Sequence, residues 1–256
     1  MSSISNISVG ASYAGNMAHK ARHNMNASIM RLSSGSRTVM GGDAAGQSIG
    51  NNLMARAKSH YVAARNAEDG ISALLTSEAA LNEIANLAYR IRELGVQADN
   101  AALLSSSMEV AAMDAEAAAL YDTIFAIHEE TKFNEKALNG EAAKTFAIGN
   151  SIDGTNNTTI ATNDNGASNA GMTAAIEDFT TAAGSEASAD LILTDVAVGL
   201  GFVAAGIAAL KGRQAVSYAS AANLEAAASR ILDTDYARET ANLTKNSVLN
   251  QSAMAM

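Results

Sequence analysis

Two histidines stand four residues apart in the stretch HKARH, His19 and His23. On a helix they share a face, as metal-binding pairs do. The zincin pattern needs Glu directly after the first His. Lys20 stands there instead, and no third ligand accompanies the pair, so it reads as solvated helix surface. His60 and His128 stand alone and read as surface or partner-contact residues. Glu129 and Glu130 are adjacent, so on a helix they diverge and do not form a paired acid and base. The glycine-rich GGDAAG, Gly41 to Gly46, follows no strand pattern and matches no phosphate-binding loop. No Ser has a His and Asp set around it. Asn-X-Ser/Thr triplets are expected by chance in a chain this rich in those residues. The chain has no Cys, which removes disulfides, zinc–thiolate sites and thiol nucleophiles together. These residues predict no enzyme, no metal centre and no cofactor.

The elements that carry them have an unusual composition. Among 256 residues there is no Pro and no Trp, and Phe and Tyr are few. Without Pro, helices run without a forced break. With few large aromatics, they must pack closely through small side chains. The net charge of −9 argues against non-specific binding to nucleic acid. The first twenty residues have neither an apolar core nor an early basic cluster, so they do not form a secretory signal peptide. The stretch from Leu191 to Leu210 has the length of a membrane span. It also holds Asp195 and three Gly and continues into a polar helical pattern, so it reads as a tightly buried bundle helix with no membrane role.

Apolar or small residues fall at Ile4, Ile7, Ala11, Ala14, Ala18, Ala21, Met25, Ser28 and Leu32. The alternation of three and four is a heptad seam, but a weak one diluted by Ala. Asp43 is placed to cap a helix running to about Ala98. Its seam includes Ile71, Leu74, Leu81, Ile84, Leu87, Ile91 and Leu94, with a three-residue slip between Leu81 and Ile84. Another seam runs Val110, Met113, Ala117, Leu120, Ile124 and Ile127. From Thr131 the texture turns to Asn, Gly and Thr, and TFAI and NTTIAT lie between turn signals, which predicts one or two hairpins and then a flexible region to about Ser188. The last strong seam runs Val196, Leu200, Val203, Ile207, Leu210, Gln214, Ser217, Ala221, Leu224, Ala228 and Ile231, five heptads without a slip and roughly 50 Å of helix. Beyond Asp233 it weakens again around Tyr236, Leu243, Leu249 and Met254. Weak stripes at both ends, too thin to hold a helix alone, predict terminal arms that meet and become ordered on assembly with other copies. The expected fold is mainly α: an elongated antiparallel helical bundle, or coiled-coil rod, with a short β-hairpin region and helical terminal arms.

The stretch RLSSGSRTVMGGDAAG, Arg31 to Gly46, resembles the N-terminal signature of bacterial flagellins, approximately R-L-S-S-G-x-R-I-N-x-A-x-D-D-A-A-G. RNAEDGISALLTSEAALNEI, YRIRELGVQADN and TKFN resemble the family's following motifs in the same order, and SRILDTDYARETANLTKNSVLNQSA resembles its C-terminal motif. Together these cover most of residues 1–150 and 191–256. The resemblance implies a structural subunit that self-assembles into the helical flagellar filament used for swimming. It also implies an extracellular location reached through the flagellar type III apparatus, without a cleaved signal peptide. The implied partners are further flagellin subunits, an export chaperone, and the hook-associated and cap proteins. The hook–filament junction protein and a chemoreceptor-like signalling coiled coil are the alternatives. The density of flagellin-type motifs opposes the first, and the Asn/Gly/Thr-rich middle opposes the second.

By the same resemblance, residues 1–42 form an inner-tube-like arm and spoke, and 43–138 the N-terminal half of a rod domain. Residues 139–188 form a short β- and turn-rich variable insertion, 189–232 the C-terminal rod helix, and 233–256 an inner-tube-like arm. Family members continue past the equivalent of Gln251 with a further turn and helix, so this last arm reads as short. Arg31, Leu32, Gly35, Arg37 and Asp43 are the expected joint and packing residues of the spoke, with both arginines available to neighbouring acids or carbonyls. Ile4, Ile7, Met25, Leu243 and Leu249 are the expected assembly residues of the arms. In some flagellins a vertebrate innate immune receptor reads an Arg and a Leu in the R-I-R-E-L motif and a Glu on the next helix. Arg90, Leu94 and Glu116 align with these and are expected to serve subunit contact as well, Arg90 and Leu94 sharing one helical face.

Overall fold

The computed structural model of the chain describes residues 2–38, 41–99, 107–138, 145–149, 157–161 and 184–255. Among the described residues the elements are α1 (Ser2–Ser34), α2 (Ala44–Asp99), α3 (Ser107–Glu130), β1 (Lys132–Phe133), β2 (Lys136–Ala137), β3 (Thr145–Gly149), β4 (Asn157–Ala161), α4 (Ser185–Leu232) and α5 (Tyr236–Ala255). The fold is mainly α with two short antiparallel strand pairs. The absence of Pro lets α2 run for 56 residues and α4 for 48. Their ends are set by local chemistry. Asp43 Oδ1 accepts the Gly46 N–H at 2.8 Å, the N-cap expected of Asp. Asp235 caps α5 in the same way, accepting the Arg238 N–H at 3.1 Å. Gly35 ends α1 at φ 69°, the left-handed conformation that glycine adopts without steric cost.

The strands fall where the turn signals put them. β1 and β2 pair Lys132 with Ala137 and Phe133 with Lys136. The connecting Asn134 and Glu135 both have positive φ, as a two-residue hairpin turn of matching twist requires. β3 pairs with β4 in the register Phe146 to Ile160. The flexible region expected up to Ser188 ends sooner, since α4 begins at Ser185. Ser185 is buried there and its hydroxyl donates to the Ile91 carbonyl, a tertiary contact that extends the helix beyond its apolar seam. The rest of that expectation lies outside the described residues.

The chain divides into two compact units, 1–58 with 220–256, and 59–219. The division falls inside α2 and α4.

In the central unit α2 runs antiparallel to both α3 and α4. Arg90 pairs with Glu116 at 2.7 Å and Arg92 with Asp190 at 2.9 Å, and Gln214 donates to Glu68 at 2.6 Å. The core joins Leu74, Leu81, Ile84 and Ile91 of α2 to Tyr121 and Ile124 of α3 and Ile192, Val196, Val203 and Leu210 of α4. Leu94, Ala98, Met113 and Ala117 form a second cluster. All of these but Ala98, Tyr121 and Ile192 fall on the seams read from spacing. By length and hydropathy α4 is apolar enough to cross a membrane, and 28% of that window is buried. The buried fraction is its core-facing stripe in this unit. His128, expected at the surface or at a partner contact, is 2% exposed. It follows Tyr121 and Ile124 on the inward face of α3, and Glu129 lies 3.4 Å from its Nδ1.

In the terminal unit α1 and α5 pack antiparallel, with Arg22 donating to Asn250 and Arg31 to Glu239. Its buried residues are small or polar: Ala21, Ser28, Thr38, Ala57, Ala221, Ala228, Thr234 and Glu239. The largest fully buried side chains all belong to the central unit.

Candidate functional site

The joint between α1 and α2 is built from the residues of the opening motif. Past Gly35, Ser36 forms an isolated antiparallel bridge with Asp233. Thr234 N–H donates to the Gly35 carbonyl at 2.9 Å, and Arg37 N–H to the Leu232 carbonyl at 2.7 Å. The Arg37 side chain donates from Nε to the Ile231 carbonyl at 3.1 Å and from Nη2 to Asp43 Oδ2 at 2.9 Å. One guanidinium thus serves the carbonyl end of α4 and the residue that caps α2. The helix C-terminus is the electronegative end and the N-terminus the electropositive one, so cation and carboxylate each sit where the peptide dipoles favour them. The Gly46 N–H holds the Asp43 carboxyl below its ordinary range, and Arg37 adds to this against the opposing effect of desolvation. Both spoke arginines do what the sequence left open, Arg31 binding an acid, Glu239, and Arg37 an acid and carbonyls. Leu32 is half-buried on the same surface.

Sequence reasoning missed the other half of this joint. Glu239 is 7% exposed. The Ser28 hydroxyl, then the charge of Arg31 and the Asn242 side chain, hold its carboxyl below the ordinary range while burial opposes them. Tyr236 lies over Gly35, where an added Cβ would meet its hydroxyl at 3.0 Å. A Cβ on Gly50 would fall inside contact distance of the Leu232 side chain, so α2 and α4 approach backbone-close beside the joint.

The arm pair presents a second surface. A groove of about 580 Å³ runs between α1 and α5, lined by Tyr13, Ala14, Met17, Ala21, Leu249 and Ala253 among others, with Lys20 and Lys245 also lining it. Tyr13 is 64% exposed and Leu249 49%, with Val9, Met17, Val248 and Met254 also exposed. Of the expected assembly residues, Met25 and Leu243 are half-buried and Leu249 is exposed. The side chains of Ile4 and Ile7 lie outside the described residues.

On the central unit Arg90 bonds Glu116 through Nε and Nη2 at 2.9 and 2.7 Å, and Glu93 through Nη1 at 3.2 Å. The Glu116 carboxylate, and Glu93 after it, raise the pKa of this guanidinium. Arg90 and Glu116 are exposed, but Leu94 is 1% exposed and packs in the second core cluster. Four residues apart is a 40° rotation on a helix, enough to put Arg90 at the rim and Leu94 inside. The expectation of a shared contact face therefore fails at Leu94. A further polar cluster escaped the sequence. Glu68 accepts from Gln214 and from the Tyr218 hydroxyl at 2.9 Å, and that bond to Glu68, helped by burial, raises the Tyr218 pKa. His19 and His23 are exposed, and among the described residues no group of His, Cys, Asp and Glu is arranged to hold a metal ion.

The model of the bacterial flagellin N-terminal helical region matches residues 6–143, more than half of the chain, and that of the C-terminal helical region matches residues 211–256. The chain belongs to the bacterial flagellin family. Flagellin A of Vibrio anguillarum is 40% identical over 147 residues, covering 56% of this chain and 38% of that protein. A flagellin of Xenorhabdus nematophila is 40% identical over 146 residues, covering 56% of this chain and 46% of its own. The chain thus spans less than half the length of these relatives. The crystal structure of Bacillus cereus flagellin matches with a TM-score of 0.43 and 24% identity, over 62% of this chain and 88% of that one. Flagellins are structural proteins.

Proposed function

We propose that this flagellin-family chain is a structural subunit that polymerises through its terminal arms into the helical flagellar filament. One observation carries the reading. Among the described residues, the terminal unit fully buries no large apolar side chain, yet it leaves Val9, Tyr13, Met17 and Leu249 in water at an open groove. A contiguous apolar surface of this kind marks an interaction site. A unit that lacks a core of its own gains one when copies cover it. Arg31, Gly35, Arg37 and Asp43 then act as the joint that holds α1 and α5 to the ends of α2 and α4. Arg90 and Glu116, exposed and paired, serve subunit contact and are open to a vertebrate innate receptor, while Leu94 supports them from the core.

The reading extends to an extracellular site of action, reached through the flagellar type III apparatus. The partners are further copies of the chain, an export chaperone, and the hook-associated and cap proteins. Electron microscopy of the purified protein under assembly conditions tests it. Long filaments are expected. Capped short stubs would favour a junction protein, and dispersed particles at all concentrations would defeat the reading.

A further inference from the structure

The chain contains no Cys and no Trp but 11 Met, so its oxidation chemistry falls on thioethers. Five methionines are exposed among the described residues, and four of them, Met17, Met30, Met54 and Met254, lie in the terminal unit. Met17 is 44% exposed and lines the groove between α1 and α5 beside Tyr13 and Leu249. Met254 is 58% exposed, and its sulfur accepts an N–H from Arg22 at 3.3 Å.

We propose that Met17 is an oxidative modification site whose sulfoxide blocks burial of the arm groove by other copies. The inference rests on the assembly reading above. The oxidant is a hydroperoxide, with hydrogen peroxide the simplest case. The thioether lone pair attacks one peroxide oxygen, the S–O bond forms as the O–O bond breaks, and the departing hydroxide is protonated to water. The sulfur loses two electrons, the peroxide gains them, and the products are a sulfoxide and water.

The consequence depends on the surroundings. At Met17 a flexible apolar lining chain becomes polar, and burying it on assembly sacrifices the hydration of the new oxygen. At Met254 the sulfoxide oxygen replaces a weak sulfur acceptor for the Arg22 guanidinium already in place. Oxidation there keeps α1 joined to α5 and leaves the groove unchanged. The two thioethers on one surface therefore have different effects. Modification acts on the free subunit, since a covered groove shields Met17 from peroxide.

The test uses the full chain. Monomer is treated with hydrogen peroxide, sulfoxides are mapped by peptide mass spectrometry, and the critical concentration for polymerisation is measured before and after. Met17 and Met254 are expected to oxidise ahead of Met113, which is buried. The critical concentration of the oxidised wild type should rise at least about ten-fold and return after treatment with methionine sulfoxide reductases. The Met17→Leu protein should keep its untreated critical concentration after peroxide, and Met254→Leu should respond as the wild type does. Sulfoxide at Met17 with unchanged polymerisation overturns the proposal. So does a Met17→Leu protein that loses assembly as fully as the wild type. A chain that fails to polymerise before peroxide is added overturns the assembly reading instead.

Discussion

Glu239 is the residue on which the pairing of the arms turns. It is an acid on α5, yet it is buried against Ser28 and Arg31 of α1. Its carboxyl is held below the ordinary range. A group with a depressed folded-state pKa stabilises fully above its unfolded pKa, and that contribution is lost as pH falls through the folded value. Protection of α5 amides from hydrogen exchange should therefore hold from neutral pH down to the ordinary carboxylate range and drop below it. Glu239→Gln should start with weaker protection and show little of that drop. A variant with the same acid transition as wild type would assign the transition to other groups. Two glycines give opposite signs. Gly15 has open space around its missing Cβ, so Gly15→Ala should stabilise α1 by about 0.5–1 kcal/mol. Gly50 faces Leu232 at too short a distance for a Cβ, so Gly50→Ala should cost about 1–3 kcal/mol. Local exchange rates in the terminal unit read both. Gly50 was not singled out from the sequence, because the constraint comes from a residue 182 positions away.

Periodicity found the helices well where Ile, Leu and Val mark the seam, since a heptad stripe needs only one continuous partner face. The burial of Ile84, Ile91, Val203 and Leu210 was legible for that reason. The burial of His128 and Glu239 and the exposed Glu68–Tyr218 pair were not, because the place of a polar side chain depends on a specific partner on another helix. The early start of α4 was lost for a related reason: it lies at the edge of a stripe, where neighbouring helices decide. At this scale the arms carry their own test. Leu249 is half exposed on α5, so Leu249→Ala should leave the melting of the central unit unchanged. Burial of a Leu in the polymer is worth roughly 1.5–3 kcal/mol, so the same change should raise the critical concentration by about ten-fold or more. Leu243, half-buried already, should also loosen α5 in the monomer. A Leu249→Ala protein that melts several degrees lower, or polymerises at the wild-type concentration, would show that α5 is not an assembly element.

Across the whole molecule, charge is divided unevenly. The terminal unit carries nine Lys and Arg against five Asp and Glu, a net of +4, and the central unit eight against twenty-one, a net of −13, which together make the −9 of the chain. Composition alone gave only the total, and the asymmetry appears once the fold assigns residues to units. Where central units of neighbouring copies adjoin in the proposed polymer, like charges face each other, and apolar contacts in the arms must overcome that repulsion. Such repulsion reaches about 30 Å at 0.01 M salt and about 8 Å at 0.15 M. The critical concentration should therefore fall several-fold or more as sodium chloride rises between those values. Neutralising exposed acids that carry no ion pair among the described contacts, as in the triple variant Asp69→Asn, Glu83→Gln, Asp122→Asn, should lower the critical concentration at low salt and flatten the dependence. Sulfate acts differently, strengthening apolar burial by exclusion from the surface, so it should aid wild type and variant equally at matched ionic strength. A critical concentration that rises with sodium chloride would mean that attraction between the basic terminal unit and the acidic central unit of neighbouring copies drives assembly. The triple variant would then polymerise less readily than the wild type, which separates the two electrostatic schemes in one titration.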